Sequence, residues 1–320
     1  MKKEMKGALL AIFGGTCWGL SGSVGQYLFN YEGMDSRWLV PIRLGLAGII
    51  LLIYCFVRSG KDICRPWQTK RNAIDLVIYG LCGISFCQFL YFLTIQLSNA
   101  GTATILQDLS PIFILAATCY KFEAKTPQLA VESSQMEHKK PTSNEILAII
   151  LAMMGIVLIT THGSLESTSI SLEALLSGIA CAFCVMIYNV LPKKLLAQFP
   201  VTLLQGWAFL MGGIFFAFVF QIWKISYIPS LIGILGIAFV VIVGNILAFT
   251  CYLEGVHLIG PSKAILYGFS EPITAAVVTF IFMDSTFTIF DGIGFLCVFM
   301  MLVLISRKDE KVIKKEKALK

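Results

Sequence analysis

Charge is what this 320-residue chain has least of: Asp, Glu, Lys and Arg together make up 14% of it, against 57% apolar residues and a mean hydropathy of +0.80. A soluble domain carries roughly a quarter charged residues, so water is not the solvent around most of this surface. Histidine occurs three times, and no HExxH, phosphate-binding glycine-rich loop or clustered set of metal ligands is present. These absences make an enzyme hard to build and imply neither cofactor nor metal. Long polar segments are missing as well, which leaves no room for the folded sensory or effector domain of a receptor.

What the chain does have is apolar stretches long enough for a hydrocarbon core of about 30 Å. They recur ten times, over Lys6–Phe29, Trp38–Val57, Ile74–Leu97, Thr102–Tyr120, Glu145–Thr161, Leu172–Leu191, Val201–Trp223, Ile228–Leu253, Pro261–Met283 and Phe287–Ser306. The expectation is an all-α membrane protein with ten transmembrane helices. The net charge of +6 could suggest nucleic acid as a partner, but the placement of the basic residues decides otherwise. With the N-terminus inside, all but three of the 25 Lys and Arg fall on the cytoplasmic side; Arg37 and Lys224 lie outside and Arg43 lies within a helix. The positive-inside rule then puts both termini in the cytoplasm of a multi-pass cell-membrane protein, with the lipid bilayer and no nucleic acid as partner. The basic tail, 307–320, reads as solvated or facing lipid headgroups. Ten cysteines could mean disulfides, yet Cys64 is cytoplasmic and the others sit in or at helices, so no oxidised framework is implied. The first helix has the basic flank of a signal peptide but is too long for one and reads as a retained anchor.

The chain also repeats itself. An offset of 161 aligns Gly83 with Gly244, Tyr91 with Tyr252, Leu97 with Leu258, Ala103 with Ala264, Pro111 with Pro272 and Glu123 with Asp284. MGIVLI from Met154 and MMLVLI from Met300 align at 146 instead, which places an insertion in the polar loop of about 123–144. Residues 1–161 and 162–306 are thus two five-helix repeats, and an odd helix count inverts the second copy in the membrane. Inverted repeats with a midplane site between the halves are common in secondary transporters.

In these features the chain resembles the drug/metabolite transporter superfamily, specifically its EamA-like family. The residues that carry the resemblance are Cys17-Trp18-Gly19, Arg43, Pro111, Pro272, Glu271 directly before Pro272, and the acidic residues Glu123 and Asp284 twelve positions after each proline. The resemblance implies a ten-helix carrier with a central cavity lined largely by helices three, four, eight and nine. It also favours export as the direction of transport.

Two motifs that suggest chemistry have simpler explanations. Gly19-Leu20-Ser21-Gly22 matches the GxSG of an intramembrane protease serine. No histidine is well placed as its base: His138 and His257 are cytoplasmic, and His162 sits in an outer loop. Gly15 with Gly19, and Ser21 with Gly25, instead form small-xxx-small pairs that let another helix approach. Cys181 and Cys184 form a mid-helix CxxC, which fits space-filling better than redox work.

The ionisable residues at depth are the stronger signal. Arg43 and Asp108 lie about 8 and 9 Å below the outer ends of their helices at about 1.5 Å per residue, a depth that suits an ion pair. Glu271 lies about 15 Å from the start of its helix on the same basis, with no basic residue at its level. An unpaired carboxylate there can hold a proton as coupling ion or bind a cationic substrate; it can also cap backbone broken at Pro272. Lys263, Tyr267 and Glu271 follow at four-residue steps on one helix face, and Trp18 and Tyr91 could complete an aromatic surround for an ammonium group. The candidate substrate- or proton-binding residues are therefore Glu271, Tyr267, Asp108, Arg43, Trp18 and Tyr91. The expected function is secondary transport of a small metabolite by alternating access, as an exporter. Uptake of a cationic amine or quaternary ammonium is the alternative within transport, and an intramembrane enzyme or receptor the alternative outside it. Substrate identity and oligomeric state are not encoded in these motifs.

Overall fold

The computed structural model describes residues 2–110, 112–114, 143–161, 170–190, 195, 198–259, 264, 267–282 and 288–318. Most of the expected insertion, together with Pro111, Glu123, His138, His162, Lys263 and Asp284, lies outside the described residues. The described residues form helices joined by short turns and connections. In chain order come α1 (Lys2–Asn30), α2 (Ser36–Ser59), α3 (Lys70–Val77), a π-helical segment (Ile78–Ser85), α4 (Phe86–Leu97), α5 (Ala100–Gln107), α6 (Ser143–Thr161) and α7 (Leu172–Val190). They are followed by α8 (Val201–Phe220), α9 (Leu231–Phe239), a second π-helical segment (Val240–Leu247), α10 (Ala248–Ile259), α11 (Ser270–Phe282) and α12 (Ile289–Ala318).

Among the described residues, five stretches are long and apolar enough to cross a membrane: Lys3–Asn30, Ser36–Ser59, Lys70–Leu97, Val201–Phe220 and Leu231–Val256. Large apolar side chains cover the outside, while several polar ones are enclosed among the apolar residues of the core. Val57, Leu231 and Phe282 stand outside at 81%, 74% and 73% exposure, whereas Gln26, Arg43, Gln205 and Asn245 are at most 2% exposed. Apolar side chains facing outward, with the few ionisable groups of the helices turned inward, are what a hydrocarbon solvent selects. The described chain is an all-α membrane protein.

Short contacts between helices rest on small residues. A Cβ on Gly213 of α8 would lie 2.5 Å from the Gly45 nitrogen of α2, and one on Gly14 of α1 would lie 2.9 Å from the Ala248 carbonyl of α10. These are the close backbone approaches that glycine permits in membranes, where no hydrophobic force drives helices together. Helix ends are satisfied by side chains: Asp35 Oδ1 accepts from Arg37 N at 2.7 Å to cap α2. Gln96 Oε1 accepts from Ser36 N at 2.9 Å, and Gln26 Oε1 from Ala100 N at 2.8 Å. At Asp35 burial pushes the carboxyl up, but hydrogen bonds and charge from Arg37 outweigh it and hold the group below its ordinary value.

Loop contacts gather at two ends of the helices. At one end Ser230 Oγ donates to Glu32 Oε2 at 2.6 Å and Tyr227 Oη to the Glu32 carbonyl at 2.9 Å. At the other, Trp207 Nε1 donates to the Ile63 carbonyl at 2.8 Å and Asn72 Nδ2 to Gln198 Oε1 at 3.3 Å.

Two kinds of irregularity position the interior. The π segments both precede a twelve-residue α-helix, α4 and α10, and such turns concentrate at functional sites. Helical continuity is also lost at Asp108-Leu109, shortly before Pro111, and at Phe269, shortly before Pro272. A proline nitrogen cannot donate and its ring crowds the preceding turn, which accounts for a break at both places. The continuous helix expected over Pro261–Met283 is therefore not formed: α11 begins at Ser270.

Candidate functional site

A cavity of about 280 Å³ lies in the interior, walled by α1, α2, α4, α7, α10, the second π segment and both helix breaks. Its charged lining residues are Arg43, Asp108 and Glu271. Helices α1, α2 and α7 thus add to the four helices expected around it.

Arg43 projects from α2 and is 1% exposed. Its Nη1 donates to Asn245 Oδ1 at 3.1 Å, its Nη2 donates to Gln88 Oε1, and its Cζ stands 3.6 Å from the Phe92 ring centre. Two amide oxygens and an aromatic face hold the guanidinium, and Nε has no partner. The ion pair expected between Arg43 and Asp108 is not formed: no such contact occurs within 4.0 Å. The correction has a physical cause, since Asn245 on the second π segment and Gln88 on α4 reach the guanidinium from other helices, and sequence depth says nothing about azimuth.

Asp108 is the C-cap of α5, with its backbone N–H donating to Thr104 O at 2.9 Å. Its carboxylate therefore stands at the negative end of a short helix dipole. Oδ2 is buried without a hydrogen-bond partner. Glu271 occupies the opposite situation, in the first turn of α11 at the positive end of its dipole, and is 8% exposed. Tyr91 Oη donates to Glu271 Oε1 at 3.3 Å. Asp108 and Glu271 lie within electrostatic reach of each other. With all three groups ionised, the lining carries a formal charge of −1.

The aromatic wall described by these contacts is built from α1 and α10. Trp18 meets Phe249 with ring centres 4.8 Å apart and Tyr252 at 4.9 Å, while Trp18 Nε1 is buried and without a partner. The glycines of α1 make room for this arrangement. A Cβ on Gly19 would lie 2.5 Å from the Glu271 carbonyl, and one on Gly22 would lie 2.7 Å from Tyr91 Oη. Ser21 packs against Gly244, with no base beside it among the described hydrogen bonds.

Of the six residues singled out from the sequence, Glu271, Asp108, Arg43, Trp18 and Tyr91 share this cavity. Tyr267 does not: it is 39% exposed and absent from the lining. Its four-residue spacing to Glu271 holds only along an unbroken helix, and the turn at Phe269 discards that register. Sequence reasoning missed Gln88, Asn245 and Phe249. Tyr252 carried a signal, as the repeat partner of Tyr91, and Asn245 follows the aligned Gly244. Among the described residues no group of three or more His, Cys, Asp or Glu is arranged to hold a metal ion.

A cavity with buried carboxylates among aromatic and aliphatic side chains inside an all-α membrane protein narrows the class, and comparison with known proteins fixes it. The sequence profile of the EamA-like transporter family matches residues 5–127 and 172–307. This chain belongs to that EamA-like transporter family. Among its relatives, the uncharacterized inner membrane transporter YicL of Salmonella typhimurium is 32% identical over 306 residues, 96% of this chain and 97% of the relative. The uncharacterized transporter YyaM of Bacillus subtilis is 23% identical over 299 residues, covering 90% and 89%. A crystal structure superposes on 97% of this chain and 98% of its own with a TM-score of 0.62 at 15% identity, a likeness of fold alone. Family membership and these relatives indicate a membrane transporter rather than an enzyme.

Proposed function

We propose that this EamA-like protein is a secondary transporter of ten spans in two inverted five-helix repeats, 1–161 and 162–306, with both termini and the tail 307–320 in the cytoplasm. It moves a small metabolite by alternating access about the central cavity, in the export direction that the family resemblance favours. Three features support the architecture. The two π segments keep the register of the sequence repeat to within one residue, the two helix breaks precede the aligned prolines, and the loop contacts sort to opposite ends as the ten-span threading requires. Discontinuous helices at the midplane are a recurrent way to build transporter sites.

One observation carries the mechanism. Asp108 has an unpartnered oxygen and Glu271 has a tyrosine hydroxyl, while the nearby guanidinium is held by amides. Two carboxylates that lack a cationic partner and face one cavity accept a cation at each turnover, and a proton delivered along its gradient meets that need. Trp18, Phe249 and Tyr252 favour the second reading, in which an organic ammonium is itself the cargo and the carrier works as an uptake system.

Glu271→Gln tests the role, because it keeps size and most hydrogen bonding but removes the charge. In liposomes with a substrate found by thermal-shift screening, the folded variant should no longer concentrate substrate. Loss of substrate-linked proton movement marks the proton site, and loss of ammonium binding marks the cation site. Parental transport with unchanged pH and voltage dependence would refute both.

A further inference from the structure

Cys87 of α4 and Cys181 of α7 bring their sulfurs to 3.6 Å, and the two thiols are 4% and 0% exposed. Gln107, the last residue of α5, aims its Oε1 at the same point, 3.8 Å from Cys87 Sγ and 3.4 Å from Cys181 Sγ. Three helices thus converge there, and both Cys87 and Gln107 also line the central cavity. The sequence pairs Cys181 with Cys184 in a CxxC, whereas the fold pairs it with a cysteine 94 positions earlier.

A disulfide would require the sulfurs to close to about 2.05 Å, well inside their present separation. A bridging cation requires almost no movement. Two thiolates at about 2.3 Å from a tetrahedral zinc-like centre stand roughly 3.8 Å apart. The carboxamide oxygen offers a third donor, and Cys87 and Gln107 connect the point to the cavity. Charge selects among soft cations: two thiolates neutralise a divalent ion, whereas a monovalent one would leave a net negative site in a buried region. We propose that Cys87, Cys181 and Gln107 form a binding site for a thiophilic divalent d10 cation of the Zn²⁺ type, reached through the central cavity. Binding exchanges two thiol protons for one cation, so two protons leave for each Zn²⁺ that enters.

The test uses the full chain with its other eight cysteines changed to serine, titrated with Zn²⁺ against a chromophoric chelator in weak buffer. One Zn²⁺ should bind per chain with release of two protons, and Cys87→Ser or Cys181→Ser should each weaken binding by at least ~100-fold, because the second thiolate acts intramolecularly. Gel filtration and circular dichroism check that the variants fold. A second measurement stands if they do not: zinc X-ray absorption of the unaltered chain at one equivalent should show two sulfur neighbours at about 2.3 Å. Affinity unmoved by either substitution, absence of proton release, or fewer than two sulfur neighbours would overturn the site.

Discussion

Arg43 provides the sharpest test of how the interior is wired. Replacing it with methionine removes a guanidinium of nearly zero exposure and leaves Asn245 Oδ1 and Gln88 Oε1 without their donor. Two opposing terms result. The orphaned buried oxygen of Asn245 costs about 1–3 kcal/mol, the half-buried one of Gln88 less, and a cation–π contact of about 2 kcal/mol is lost with Phe92. Against that, the desolvation of a buried charge is relieved, which is worth several kcal/mol. The net shift of the single variant is therefore a poor readout, and a double-mutant cycle is the right one. Combining Arg43→Met with Asn245→Leu removes both ends of one hydrogen bond, so the pair should show a coupling of about 1–2 kcal/mol. Combining Arg43→Met with Asp108→Asn should give additive losses, within about 0.5 kcal/mol, because these side chains share no contact. Thermal melts in detergent resolve the difference, since 1 kcal/mol moves the midpoint of a large domain by about 2–4 °C. Rescue of Arg43→Met by Asp108→Asn, with no coupling to Asn245, would refute the geometry and restore the ion pair that depth alone suggested.

Gly22→Ala would place a Cβ 2.7 Å from Tyr91 Oη, so the hydroxyl must move off Glu271; this variant and Tyr91→Phe, which removes the same donor, should both fold and both transport more slowly, and a parental rate in either would show that this hydrogen bond is dispensable. Orientation is tested by single cysteines in a cysteine-free chain. Tyr31→Cys should label from outside intact cells and Gln68→Cys only after the membrane is opened, and labelling of both from one side would end the inverted-repeat reading.

Membrane residence, helical class and family were legible in the sequence. Hydropathy is a local property, and a run such as Trp38–Val57 has no other stable place than lipid. The exceptional residues were legible for the same reason, since Arg43, Asp108 and Glu271 stand out against an apolar background wherever the helices go. Choice of partner was not legible. Whether Arg43 meets Asp108 or Asn245 depends on how helices rotate and cross, and one-dimensional depth carries neither. The turn at Phe269 shows the same limit, because it left Glu271 in the cavity and turned Tyr267 away from it. Cys87 and Cys181 met only through the packing of α4 on α7, where no spacing rule applies. Composition chooses the solvent and hence the helices, while side-chain encounters between distant segments are decided by the close packing of small-residue faces.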